Sequence, residues 1–176
     1  KEIRGFLESI CDLIMSNMDE ILRNRYEKTL KPDGTSVTTS DIFVEELIYK
    51  HTLESIPNVT FVGEESFDFK SFDAEGYVVV LDPIDGTENF CSGLKEWGIS
   101  FGIWENKQHL GSLLFLPEMG LKLLTGDKVT PIQSRITGFS SSMSDELLSR
   151  MSESGEYRIT GCAVYNMYNV IHGSFA

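Results

Sequence analysis

A layered α+β and α/β sandwich is the fold class that this sequence predicts, on three observations. Apolar residues recur at helical spacing over residues 3 to 26. An apolar, β-branched run, Tyr77-Val78-Val79-Val80, is followed between residues 98 and 124 by strands at hairpin spacing. From residue 134 onward strands alternate with helices. The chain has 176 residues, 41% of them hydrophobic, which suffices for one sizeable core or for one domain plus part of another. The turn-rich stretch Gly126 to Gln133 is the expected boundary. It separates an N-terminal α+β subdomain (1–133) from the start of a C-terminal α/β subdomain (134–176).

Taken in order, Ile3 to Tyr26 reads as one long amphipathic helix with Phe6, Leu7, Ile10, Ile14, Met18, Ile21 and Leu22 on its buried stripe. Lys31-Pro32-Asp33-Gly34 is a turn. The run Thr38-Thr39-Ser40-Asp41 caps a second helix carrying Phe43, Leu47 and Ile48. Asp41 then reads as an acid in a helix first turn, stabilised by the dipole. Val59 to Val62 is a short strand ending in Gly63-Glu64-Glu65-Ser66, by itself a solvated acidic turn. Phe67 to Gly76 is a polar, acidic loop. Tyr77 to Val80 reads as a strand buried on both faces. Its ladder should end at Asp82 or Pro83, because proline lacks a donor and Asp-Gly favours a turn. Gly98 to Trp104, Leu110 to Leu116 and Leu121 to Leu124 form an antiparallel meander. Ser134 to Phe139 is a strand, Ser144 caps a helix reaching Met151, and Tyr157 to Thr160 is the next strand. Gly161-Cys162-Ala163 opens a last helix, ended by Gly173.

The net charge of −12 argues against nucleic acid and anionic membranes as partners. No apolar run is long enough to span a bilayer, and a cytoplasmic enzyme is the simple expectation. Cys11, Cys91 and Cys162 are odd in number and widely spaced, which suits packed thiols in a reducing compartment. His51, His109 and His172 stand alone in the sequence and read as surface or satisfied histidines. Trp97 and Trp104 read as core or sheet-edge packing.

The chemistry concentrates in Leu81-Asp82-Pro83-Ile84-Asp85-Gly86-Thr87-Glu88-Asn89-Phe90. Two carboxylates sit at the tip of a rigid strand, and Gly86 lets the backbone approach a ligand. Thr87 to Phe90 can open a short helix, whose free N–H groups suit phosphate. Acids beside a phosphate cradle repel it unless they hold a divalent cation that also binds phosphate oxygen. The bland reading of the same residues is an acidic hairpin turn. An EF-hand does not fit, because Pro83 and Ile84 break the ligand alternation and the twelfth position from Asp82 is Gly93. A covalent aspartyl phosphatase does not fit either, because Pro83 stands where its nucleophile belongs.

Asp82 to Phe90 resembles the first signature of the inositol monophosphatase family, Mg²⁺-dependent, lithium-sensitive phosphomonoesterases; Glu88 stands where many members have threonine. The resemblance implies an inositol monophosphatase/sugar phosphatase-like fold whose second subdomain is incomplete here. It implies metal ligation by Glu64, Asp82, the Ile84 carbonyl and Asp85, with Mg²⁺ as cofactor and Mn²⁺ as the second choice. Val37-Thr38-Thr39-Ser40-Asp41 is similar to a family pattern whose aspartate works with the signature threonine to orient water, so Asp41 is paired with Thr87 as catalytic. Glu65 is a further catalytic candidate, and Gly86 and Thr87 are expected to bind phosphate. Gly161, Cys162 and Ala163 match a turn that lines the alcohol side of the substrate; a buried small residue is the alternative for Cys162. The expected partner is a small phosphomonoester, inositol monophosphate first. Histidinol phosphate, a 3′(2′),5′-bisphosphate nucleotide and fructose 1,6-bisphosphate are the alternatives, and a catalytically inactive regulatory fold-mate is the reading from another class. A homodimer is also implied. Family members carry a later Trp-Asp-x-Ala motif, whereas Trp97 and Trp104 are followed by Gly98 and Glu105, so the chain is expected to be part of a longer protein.

Overall fold

Apolar residues at helical spacing make two helices at the N-terminus. A computed structural model describes residues 2–66 and 75–176. In it, α1 (Glu2–Ser16) and α2 (Met18–Arg23) replace the single helix expected over residues 3 to 26. The break falls at Asn17, whose backbone sits at φ −111° and ψ 10°. Its side-chain amide donates to the Leu13 carbonyl at 2.8 Å, a local bond of the kind that makes asparagine a poor interior helix residue. The apolar stripe survives the break, since Leu7, Ile10, Ile14 and Ile21 are all buried.

The turn at Lys31 to Gly34 joins two short antiparallel strands that the sequence did not suggest, β1 (Lys28–Leu30) and β2 (Ser36–Thr38). Thr38 then caps α3 (Thr39–Ser55) in a reciprocal capping box with Asp41.

A five-stranded sheet lies against these helices. Its order is β3 (Thr60–Gly63), β4 (Tyr77–Asp85), β5 (Gly98–Glu105), β6 (Gln108–Leu116) and β7 (Leu121–Leu124). The expected antiparallel meander holds from β5 to β7; β4 adds to it antiparallel to β5, while β3 runs parallel to β4. Val79, Leu81, Ile99, Phe101 and Leu113 join residues of α1 and α3 in one core. Part of the reading of β4 is overturned. The strand continues to Asp85, with Asp82 opposite Ser100 and Asp85 opposite Gly98. Three steps on β4 therefore face two on β5, a bulge that absorbs Pro83 without a ladder donor. Nor is β4 buried on both faces: Val80 is 43% exposed, on the side where α6 (Ala163–Ile171) lies over β5 and β6.

Residues 136 to 159 form a β-α-β unit. β8 (Ile136–Phe139) pairs in parallel with β9 (Glu156–Ile159), and α5 (Asp145–Arg150) is capped by the Ser144 hydroxyl. Of the acidic loop read at 67 to 76, residues 67–74 lie outside the described residues. The remaining helix, α4 (Thr87–Cys91), follows the β4 tip directly.

Gly98 is where α6 meets the sheet. A Cβ there would stand 2.6 Å from Val164 Cγ1 and 2.9 Å from the Phe115 carbonyl oxygen of the paired strand. Gly98→Ala is therefore expected to destabilise by about 1–3 kcal/mol, read as a lower urea midpoint.

Candidate active site

Because β3 and β4 run parallel, their C-terminal ends leave the sheet at the same edge. The Glu64 N–H extends the pairing by donating to the Leu81 carbonyl at 3.1 Å. Glu64 thus stands beside Asp82, one residue beyond the last paired positions, Gly63 and Leu81. The bulge and the left-handed turn at Gly86 (φ 81°) then bring Asp85 and Thr87 to the same place. A side chain at 86 would crowd Cys162 Cβ at 3.0 Å and the Glu96 carbonyl at 3.2 Å, so glycine alone fits. The result is a cleft of about 390 Å³ lined by Lys31, Glu64, Asp82, Asp85, Thr87 and Glu88 among others.

Asp82 is the acid under most pressure. Burial, then the charges of Glu64 and Asp85, push its carboxyl up to about 8. Among the described residues its Oδ1 is buried without a hydrogen-bond partner. The neighbouring acids each face a donor. Lys31 Nζ lies 3.1 Å from Glu64 Oε1 and 2.7 Å from Glu65 Oε1. Burial opposes the Lys31 charge, but the bonds to Glu65 and Glu64 outweigh it and hold the ammonium above its ordinary range. Glu65 is raised by burial, against the pull of Lys31. Asp85 Oδ2 accepts from the Val164 N–H at the start of α6 and from the Cys162 thiol at 3.1 Å.

Asp41 is buried at 1% exposure, and both of its oxygens are used. Oδ2 accepts from Thr38, the backbone N–H at 2.7 Å and the hydroxyl, while Oδ1 faces Thr87 Oγ1 at 3.1 Å. Burial raises its carboxyl despite these bonds. The Thr87 hydroxyl also reaches the Ile84 carbonyl at 2.9 Å. The cap role and the contact with Thr87 therefore coexist.

Of the other expected site residues, Gly86 and Gly161 line the cleft. Cys162 is buried with its sulfur turned to Asp85, and Ala163 is an exposed first residue of α6. Glu64, Asp82 and Asp85 are brought to one cleft but not closed onto one point: among the described residues, no three His, Cys, Asp or Glu side chains stand together as a ready metal cage. The donor set still fits a hard divalent cation, being all oxygen, acid-rich and centred on the orphaned Asp82 oxygen.

Three contributors escaped the sequence reading. Lys31 was legible only as part of a turn. Glu45 is buried four residues after Asp41 on α3, so it lies on the same helix face. It accepts the Glu65 N–H at 2.9 Å, and its carboxyl group occupies the space over Gly63 that any side chain there would need. Glu88 ties the β1–β2 hairpin to α4 by accepting from Ser36 Oγ at 2.7 Å and pairing with Lys28.

A buried ion pair supports the far side of α4. Arg25 donates to the Phe90 carbonyl at 2.8 Å, to the Leu94 carbonyl at 3.2 Å and to Glu118 Oε2 at 2.7 Å. Trp97 Nε1 donates to the same Glu118 oxygen at 2.6 Å. The guanidinium lies 4.8 Å from the centre of the Phe90 ring.

A profile of the Inositol monophosphatase family matches residues 6–155. An inositol-1-monophosphatase of Bacillus subtilis is 35% identical over 79 residues, which are 45% of this chain and 30% of that protein. The Nus factor SuhB of Pasteurella multocida is 36% identical over 81 residues, 46% of this chain and 30% of its own. The chain thus matches about a third of the length of such relatives. A crystal structure of an IMPase/NADP phosphatase complexed with NADP and Ca²⁺ superposes with a TM-score of 0.82 at 17% identity, covering 98% of this chain and 72% of that one.

Arg25 and Glu118 keep only 10% and 12% of their side chains exposed. Arg25→Ala would leave the Glu118 charge buried and unpaired, at an expected cost of about 3–5 kcal/mol in denaturant unfolding.

Proposed function

The chain belongs to the inositol monophosphatase family, and from that premise we propose that it hydrolyses a small phosphomonoester, inositol monophosphate foremost, with water as the attacking group and a divalent cation as cofactor. The observation that carries this reading is the buried, partnerless oxygen of Asp82 beside Glu64 and Asp85 in a cleft that also offers Thr87 and Lys31. A cation held by Glu64, Asp82, the Ile84 carbonyl and Asp85, Mg²⁺ before Mn²⁺, would supply Lewis acidity toward a phosphate oxygen and toward water.

The remaining work falls to the chain itself. The Thr87 hydroxyl has one proton, shared between Asp41 Oδ1 and the Ile84 carbonyl. Its oxygen lone pairs are then free to accept a hydrogen bond from the attacking water and fix its approach. Asp41 can hold Thr87 steadily because its other oxygen is locked in the α3 cap. Lys31 uses two of its three N–H donors on Glu64 and Glu65 and has a third for phosphate oxygen. Glu65 acts through Lys31 in this reading. The N–H groups of Gly86 and Thr87 take up further phosphate oxygens, since α4 has no side-chain cap. Gly161 borders the leaving-group side, and Cys162 contributes through Asp85.

The match to a Nus factor favours one second reading, a cleft that binds a cation and serves regulation without turnover. Phosphate release with Mg²⁺ from inositol monophosphate, histidinol phosphate, a nucleoside 3′,5′-bisphosphate and fructose 1,6-bisphosphate separates the two. We expect release from at least one substrate, dependent on Mg²⁺ and inhibited by Li⁺; cation binding with no release from any would leave the regulatory reading standing alone.

Asp82→Asn is expected to lower that release by at least about 10²-fold, or 2.7 kcal/mol in barrier. The metal-free variant should melt no lower than the parent, since the amide removes the repulsion between position 82 and the charges of Glu64 and Asp85. Thr87→Val is expected to keep the fold and lower kcat by roughly 10²–10⁴-fold.

A further inference from the structure

We propose that Cys162 is a positioning residue for Asp85: its thiol hydrogen, donated to one carboxylate oxygen, sets which oxygen of that acid is left facing the cleft. This deepens the metal-dependent reading above and rests on it for its consequence, although the contact itself is structural.

The sulfur of Cys162 faces one donor, the Tyr165 N–H, and two acceptors, Asp85 Oδ2 and, farther off at 3.6 Å, the Asp85 carbonyl oxygen. It accepts the Tyr165 N–H at 3.3 Å as the N-cap of α6. With a lone pair turned to the helix, its hydrogen is free for Asp85 Oδ2 at 3.1 Å. The same Oδ2 accepts the Val164 N–H. Two donors on one oxygen hold the carboxylate in a single orientation, and among the described residues nothing hydrogen-bonds Oδ1. Asp85 lines the cleft, so Oδ1 is the oxygen it has to offer. Groups that orient a ligating carboxylate in this way tune metal affinity without touching the ion.

Serine can make both bonds, whereas alanine makes neither. Mg²⁺ binding is measured by titration calorimetry without substrate, on the full chain and its variants. Cys162→Ala is expected to bind Mg²⁺ about 10–100-fold more weakly than the parent, with Cys162→Ser within about threefold of it. Equal affinity in parent and Cys162→Ala would overturn the proposal and leave Cys162 a helix cap alone. The S–H stretching band, assigned by its loss in Cys162→Ala, gives a readout independent of metal and turnover. Asp85→Ala is expected to move it to higher frequency and Asp85→Asn part of the way; a band unmoved in both would also overturn the proposal. A parent chain that bound no Mg²⁺ would sink the metal-dependent reading, and the infrared comparison would then decide the Cys162–Asp85 contact by itself.

Discussion

One parallel pairing in an otherwise antiparallel sheet decides where the acids meet. β3 is only four residues long, but its direction sets the end at which Glu64 emerges. Run the other way beside β4, the same strand would deliver Glu64 about 13 Å off, at roughly 3.3 Å per residue. The direction follows from α3, which carries the chain back across the sheet before β3 begins. The cap of α3 is thus linked to the position of Glu64 as well as to that of Thr87.

Electrostatics explains why the cleft is built from so many separate segments. Among the described residues, five carboxylates, from Asp33, Glu64, Asp82, Asp85 and Glu88, line it with one lysine. Each charge has to be matched or its group neutralised. Glu64 has Lys31, Asp85 has the Val164 N–H of α6 and a thiol, and Glu88 has Lys28 and Ser36. Asp82 has none of these, and burial together with the charges of Glu64 and Asp85 raises its carboxyl. The buried Arg25–Glu118 pair solves a similar problem beneath α4, where guanidinium donors satisfy one carbonyl in the last helical turn and one just past it.

Much of this was legible in the residues. The cap at Thr38, the short helix after Gly86 and the β-α-β run after residue 134 all follow from local chemistry, and local chemistry is what a sequence displays. The break at Asn17 was missed because the apolar stripe passes through it unchanged. The extension of β4 through Pro83 was missed because a bulge is a property of two strands, and only one was being read. Lys31 and Arg25 were missed for a related reason: their partners lie 33 to 93 residues away in the chain. The stretch from Asp82 to Phe90 marked where the acids gather, but nothing in it says that Asp85 would be engaged by Val164 and Cys162.

Asp41 serves two masters, and this has a consequence for descent. As the N3 acid of a capping box it stabilises α3 whether or not anything is ever hydrolysed. Thr87 has no such second employment beyond its bonds to Asp41 and the Ile84 carbonyl. In a lineage released from selection for turnover, drift should therefore erode the threonine first and leave the aspartate standing. Under the proposed hydrolysis, a surviving aspartate at this position would testify to folding, and only the hydroxyl to catalysis.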